Sequence, residues 1–196
     1  MAKSAVFVDR DDTLIADVGY CKDPNRIQLL PGVVKGLQKL SQAGFAIIVV
    51  TNQSGVGRGF FTRDDLEAVH ARLQSKLEAV GVSLRAIYYC PHLPEDSCSC
   101  RKPRPGLLLQ AASEMKLNLR TCFMIGDREL DLSAGRAAGT RTILVSNKEP
   151  QELTDAEHTA DFVVKDLVGA ARVILNQSKN PAPRRDFGNH DWSESL

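Results

Sequence analysis

Six short apolar runs punctuate the chain: "AVFVD" at 5–9, "FAIIVV" at 45–50, "AIYYC" at 86–90, "CFMIG" at 122–126, "TILV" at 142–145 and "DFVV" at 161–164. Each is too short for a core helix and lacks the alternation of a half-exposed strand, so the runs predict strands buried on both faces. Between them lie stretches with helical periodicity and helix punctuation. These are Gly32–Ala43, behind Pro31 and ending near Gly44; Arg63–Val80, with Thr62 as N-cap; Gly106–Lys116; Leu130–Ala138, closed by Gly139; and Asp166–Leu175. The repeated β-α order predicts an α/β fold, a mostly parallel sheet with helices on both faces.

A chain of 196 residues suits one such domain, expected here over 1–176. From Gln177 the composition turns to "QSKNPAPRRDFGNHDWSESL", rich in Pro, Asn, Ser and charge with only Phe187, Trp192 and Leu196 as large apolar residues, which predicts a disordered tail over 177–196 with Trp192 as a candidate anchor. Twenty-five Lys and Arg against 24 Asp and Glu leave a net charge of +1, so nothing global points to nucleic acid or a charged membrane surface. No run approaches the roughly 18 apolar residues of a membrane span, and "MAKSAVFVDR" lacks the apolar core of a signal peptide, so the expected location is the cytoplasm. Five cysteines, three of them at 90, 98 and 100, argue for reduced thiols or a metal rather than a disulfide framework.

In a doubly wound sheet, ligands bind at the carboxyl ends of the strands. Three polar clusters fall at such ends: Asp9-Arg10-Asp11-Asp12-Thr13, Thr51-Asn52-Gln53-Ser54-Gly55, and Gly126-Asp127-Arg128-Glu129-Leu130-Asp131. Carboxylates crowded at close range repel by about 4 kcal/mol per pair at an effective dielectric near 20, so something positive belongs among them. Several carboxylates at one point make a hard oxygen site suited to Mg²⁺. A hydroxyl and a lysine, Thr51 and Lys102, then suit phosphate oxygens. Taken singly, each cluster has a plain reading: a surface turn, a helix cap, or acids favoured by a helix dipole. Their joint occurrence, in order and each at a strand end, favours a phosphoryl-transfer site.

"DRDDT", "TNQSG", the lysine of "RKP" and "GDRELD" together resemble the four motifs of the haloacid dehalogenase superfamily of phosphatases. The resemblance implies a Rossmannoid fold, with Asp9 as nucleophile, Asp11 as proton donor and acceptor, and Thr51 and Lys102 holding phosphate. It further implies Mg²⁺ bound by Asp9, Asp127 and the backbone carbonyl of Asp11, with Asp131 supporting the site; an exposed helix aspartate is the plain reading of Asp131. One departure stands out. Where the superfamily pattern has D-x-D-G-T, this chain has Asp12 in place of the glycine. Asp12 reads either as a tolerated turn residue or as an added charge that weakens phosphate or metal binding.

"CPHLPEDSCSC" places Cys90 and His92, then Cys98 and Cys100, within eleven residues. Three thiols and an imidazole match a closed Cys₃His set, so a structural Zn²⁺ is expected, ordering the loop that delivers Arg101 and Lys102. Cys90 as a buried strand end and a labile disulfide are the plain alternatives. Cys21 and Cys122 read as small buried side chains.

The zinc loop narrows the resemblance to a small capless branch that holds phosphatases of a heptose 1,7-bisphosphate and of histidinol phosphate. "DVGYCKDPNRIQLLPGV", "TNQSGVGRGFFT" and "CRKPRPGLL" resemble the heptose-bisphosphate group; the short gap inside the zinc loop resembles the histidinol-phosphate group. On the first, the implied activity is hydrolysis of the C7 phosphate in the supply of activated heptose for lipopolysaccharide core. Asp17, Val18, Gly19, Tyr20, Asn52, Gln53, Ser54, Arg101 and Arg128 would then surround the sugar bisphosphate. Two arginines suit the phosphate that is not transferred; Arg58 and Arg104 read as solvated surface groups. A monomer is expected, and a zinc-stabilised binding module without catalysis is the reading from another class.

Overall fold

Ala5, Val6, Phe7 and Val8 are wholly buried, and this strand, β1 (Ala5–Val8), forms the middle of the sheet. The computed structural model describes residues 4–179. Around β1 lie β2 (Ala46–Asn52), β3 (Ala86–Cys90), β4 (Phe123–Gly126), β5 (Arg141–Val145) and β6 (Phe162–Val164). All pairings are parallel, in the order β3-β2-β1-β4-β5-β6. Every predicted run is a strand, with bounds shifted by a residue or two. Burial on both faces holds for β1, β2 and β4, whereas β3 is half-buried up to Cys90 and β6 exposes Val163. These two are the edge strands, where the covering helices run out.

Five helices cover the sheet: α1 (Val33–Gln42), α2 (Arg63–Glu78), α3 (Gly106–Met115), α4 (Glu129–Ala138) and α5 (Leu167–Lys179). Successive strand side chains point to opposite faces, and β1 divides accordingly. Val6 and Val8 pack with Leu37 and Leu40 of α1, Val69 and Leu73 of α2 and Ile174 of α5. Ala5 and Phe7 pack with Leu108 and Ala111 of α3 and Ala134 and Ala138 of α4. Thr62 caps α2 as expected: its hydroxyl accepts from Asp65 N at 3.1 Å, and the Asp65 carboxylate accepts from Thr62 N at 2.8 Å. Cys21 and Cys122 are buried, as expected of small apolar fillers.

Helix α5 runs to Lys179, past the expected boundary at Gln177. The rest of the expected tail, with Trp192, lies outside the described residues. Among the described residues no helix is long and apolar enough to cross a membrane, and no second domain interrupts the sheet. The chain leaves β1 toward β2 and β3, then returns to place β4 on the other side of β1. The strand order therefore reverses between β1 and β4, and the crevice opens above that point.

Candidate active site

Asp9 follows β1 directly and Lys102 follows the Cys-rich loop, yet the two side chains meet in the interior. Lys102 Nζ donates to Asp9 Oδ1 at 2.6 Å and to the Val50 carbonyl at 2.9 Å. It also lies 2.6 Å from Asp131 Oδ1, a contact close in distance but poorly directed for a hydrogen bond. Lys102 is 2 % exposed and Asp131 0 %, so the plain reading of Asp131 as a surface aspartate does not hold. Burial opposes the charge on Lys102, but Asp131 and Asp9 outweigh it and raise its pKa. Burial pushes the Asp131 carboxyl up, against the pull of Lys102, with Asp9 and Asp127 adding to the rise.

Local chain geometry delivers these groups. A Cβ on Gly126 would sit 2.3 Å from the Asp131 carboxylate, so the glycine of "GD" lets the first turn of α4 close over the strand end. Asp131 Oδ2 accepts from Arg128 N at 3.2 Å, capping that turn. Lys102 is fixed through its backbone: its N–H donates to Asn52 Oδ1 and its carbonyl accepts from Asn52 Nδ2, both at 3.0 Å. Asn52, expected among substrate contacts, spends its amide on this clamp.

Asp9, Asp127 and Asp131 offer carboxylate oxygens that all lie within 4.8 Å of one another. This all-oxygen donor set fits a hard divalent cation such as Mg²⁺. Asp127 Oδ1 accepts from Thr13 Oγ1 at 3.2 Å, and burial followed by the field of Asp9 pushes its carboxyl up, with Arg128 acting against them. The Asp11 side chain stands apart from this trio. It takes Gln53 Nε2 at 2.8 Å and the Arg10 guanidinium at 3.0 Å, and Gln53 Nε2 also reaches Thr51 Oγ1 at 2.8 Å. Burial raises the Asp11 pKa, Arg10 opposes it and Asp9 adds to it.

A cleft of about 350 Å³ opens above these groups. Asp9, Asp11, Asp17, Gly19, Tyr20, Thr51, Asn52, Gln53, Ser54, Arg101, Lys102 and Arg128 line it; Val18 instead packs against the core. Arg128 is half-exposed and bridges acids at the rim, with Asp127 at 3.3 Å, Asp12 at 3.6 Å and Asp17 at 3.8 Å. Asp12 adopts φ 54°, the left-handed turn conformation, and its Oδ1 accepts from Asp17 N at 3.0 Å. Two residues in the site's surroundings carry no sequence signal of their own: Arg10, 1 % exposed, and His70 on α2, whose Nε2 lies 3.3 Å from Arg10 Nη1. An arginine wedged between two strand-end aspartates was the only hint.

At the end of β3, Cys90, His92, Cys98 and Cys100 converge. Sulfur-sulfur separations are 3.3 to 3.5 Å, and His92 Nδ1 lies 3.2 Å from Cys100 Sγ and 3.5 Å from Cys90 Sγ. A tetrahedral Zn²⁺ with Zn–S near 2.3 Å implies edges of about 3.8 Å, so the cluster fits such an ion with a slight expansion. The thiols are free, not bridged. Arg101 Nη1 donates to the His92 carbonyl at 3.2 Å and Arg104 Nη1 to the Cys98 carbonyl at 2.7 Å, so Arg104 ties the loop rather than facing solvent alone. Gly106 completes the closure: its N–H donates to Ser99 O at 3.1 Å, and a Cβ there would stand 2.3 Å from that oxygen.

Residues 99–170 match the hydrolase-like family model described as HAD-hydrolase-like. The chain is 37% identical over 179 residues to D-glycero-beta-D-manno-heptose-1,7-bisphosphate 7-phosphatase of Pasteurella multocida, covering 88% of this chain and 97% of that protein. It is 38% identical over 189 residues to the protein of the same name from Escherichia coli K12, covering 91% and 98%. Its fold is similar to the D,D-heptose 1,7-bisphosphate phosphatase from B. bronchiseptica solved with magnesium and phosphate. The TM-score is 0.78 at 31% identity, over 89% of this chain and 99% of that one. The enzyme of the same name from Burkholderia thailandensis gives a TM-score of 0.65 at 28% identity, over 88% and 98%.

Proposed function

Because the chain belongs to the D-glycero-D-manno-heptose-1,7-bisphosphate 7-phosphatase family of haloacid dehalogenase-like hydrolases, we propose that its site hydrolyses the C7 phosphate of that sugar bisphosphate through an aspartyl-phosphate. The chain is a phosphomonoesterase of heptose biosynthesis. In our reading it acts in the cytoplasm, as a monomer, toward activated heptose for lipopolysaccharide core. The observation that carries the mechanism is the buried contact of Asp9 with Lys102, beside Asp127 and Asp131, at the reversal of strand order.

Asp9 is the nucleophile: a carboxylate oxygen attacks phosphorus in line, the P–O7 bond breaks, and its electron pair passes to the C7 oxygen. Asp11 hands its proton to that oxygen. Burial pushes the Asp11 carboxyl up against the pull of Arg10, the direction a proton donor needs. Water then attacks the aspartyl-phosphate, Asp11 takes its proton, and Asp9 leaves as carboxylate. Lys102 and Thr51 hold the transferring phosphate, while Arg101 and Arg128 at the rim neutralise the phosphate on C1. Asp17, Gly19, Tyr20, Gln53 and Ser54 form the walls around the sugar, with Val18 anchoring that segment on the core, and Asn52 acts through the Lys102 peptide. Asp9, Asp127 and the Asp11 carbonyl would hold Mg²⁺, with Asp131 in support; the ion, when bound, offsets the crowded negative charge. Cys90, His92, Cys98 and Cys100 would hold a structural Zn²⁺.

Histidinol phosphate is the competing substrate. Comparison of kcat/KM for both heptose bisphosphate anomers and histidinol phosphate decides between them. We expect the heptose compound to lead by at least about 100-fold, because a histidinol ester leaves the rim arginines without their second anion. A preference for histidinol phosphate overturns the assignment. Asp9→Asn should abolish turnover of every substrate.

A further inference from the structure

Arg10 is the largest of the fully buried side chains. Removing a guanidinium from water costs several kcal/mol unless its hydrogen-bonding demand is met in full. Here each of its three nitrogens finds a partner, on one carboxylate or one imidazole. Arg10 Nε and Nη2 both reach Asp11 Oδ1, at 3.1 and 3.0 Å, and Nη2 also reaches Oδ2 at 3.0 Å. Nη1 points to His70 Nε2 at 3.3 Å. Neighbouring residues on an extended strand diverge, but β1 has ended and the Arg10 carbonyl already accepts from Leu14 N and Ile15 N. This turn lets the Arg10 side chain fold back onto the residue that follows it.

We propose that Arg10, oriented by His70, is a positioning residue that holds the Asp11 carboxyl in the direction from which it serves the leaving oxygen. This rests on the reading of Asp11 as proton donor and acceptor. A guanidinium has only donors, so His70 Nε2 must be the acceptor, and the ring is neutral with its proton on Nδ1. The surroundings agree: burial, then the field of Arg10, holds the His70 pKa down at about 3. His70 is itself fixed by α2 and by Tyr89, whose ring centroid lies 5.6 Å away. Gln53 Nε2 grips Asp11 Oδ2 from the other side, so the carboxyl is braced from two directions. The Arg10 guanidinium is itself outside the cleft lining and hydrogen-bonds Asp11, which is in it, and His70, which is not, so its role is distinct from phosphate binding.

Leaving-group dependence tests the proposal. An alkyl phosphate needs a proton on its leaving oxygen; p-nitrophenyl phosphate does not. In single turnovers, Arg10→Lys and His70→Phe should slow cleavage of heptose bisphosphate about 10- to 100-fold. The p-nitrophenolate burst should stay within about threefold, and KM should hardly move. His70→Gln, which restores an acceptor, should recover most of the rate. An equal fall for both esters, or no fall for either in folded variants, overturns the proposal. Asp11→Asn is the reference: if it too leaves the ratio of the two esters unchanged, the reading of Asp11 fails rather than that of Arg10. Should the Arg10 variants not fold, the His70 pair decides. ¹⁵N resonances of His70 in the unaltered protein decide independently, since a proton on Nε2 overturns the arrangement whatever the variants do.

Discussion

Cys90, His92, Cys98 and Cys100 come from one eleven-residue segment, whereas Asp9 and Asp127 come from two strand ends more than a hundred residues apart and Asp131 from the first turn of α4. Three of the loop's four candidate ligands are thiols and the fourth is an imidazole, and burial pushes the Cys90 thiol up, so a metal bound there displaces protons. The carboxylate trio is held by the sheet and already carries a resident cation, Lys102. In our reading the loop takes its shape from the proposed Zn²⁺ together with Arg101, Arg104 and Gly106, while the trio depends on the fold for shape and on Lys102 for charge balance. Lys102 links the two, because it leaves the loop and ends beside Asp9.

The largest effect should follow from Lys102→Met, which attacks the trio from inside. It leaves the fully buried Asp131 without a cation, and breaking a buried pair in this way costs about 3–5 kcal/mol. Activity should fall by at least about 10³-fold, as the phosphate loses a direct partner. The pH dependence has a definite sign. Asp131 is raised from 3.8 to about 7 in the folded chain, so the unfolded state releases its proton first as pH rises. Stability is therefore fully present below the ordinary carboxylate value and lost as pH climbs toward 7. Without Lys102 the rise is larger still. Denaturant titrations at pH 5 and pH 8 should show the variant much closer to the unaltered protein at pH 5; a deficit independent of pH would mean that packing, not charge, explains the loss.

Zinc removal should be milder and should separate the two regions. A zinc-selective chelator, or Cys98→Ser, is expected to lower Tm by about 4–8 °C, the equivalent of roughly 2 kcal/mol in a chain of this size. kcat should fall about tenfold, since Arg101 and Lys102 lose their exact placement while Asn52 still clamps the Lys102 peptide. Metal analysis of protein prepared without chelator should give one zinc per chain. An unchanged Tm after zinc loss would show that the loop holds its form through Arg101, Arg104 and Gly106 alone.

The unequal legibility of these regions has a physical origin. All four candidate ligands of the loop are neighbours in sequence, so spacing and residue type alone outlined the cluster. Asp9 and Asp127 were legible because each follows an apolar strand, and parallel sheets bring strand ends together. Arg10, His70 and the Asn52 clamp on Lys102 escaped that logic. Their partners are set by how α2 and the loop after β3 settle on the sheet, and no periodicity records such docking. The burial of Asp131 escaped for a related reason: it needs Gly126 beneath it, a contact between a strand and the following helix.

Asp12→Gly should have the smallest effect, and it bears on why the trio excludes a fourth carboxylate. Asp12 lies next to Asp11 in sequence, but its carboxylate turns outward to Asp17 N and the exposed Arg128, leaving the metal-type cluster to Asp9, Asp127 and Asp131. Glycine would relieve the left-handed backbone by a few tenths to about 1 kcal/mol. It would also lose a hydrogen bond worth about 1 kcal/mol and an exposed ion pair worth under about 1. The terms nearly cancel, so Tm should move by less than about 3 °C and kcat by less than about threefold. Asp12→Ala keeps the strained φ and loses both contacts, so it should be the less stable of the two by about 1 kcal/mol. Unchanged Mg²⁺ dependence in Asp12→Gly would mark Asp12 as a turn residue. A clear gain in phosphate or Mg²⁺ affinity would instead show that its charge reaches the trio despite pointing away.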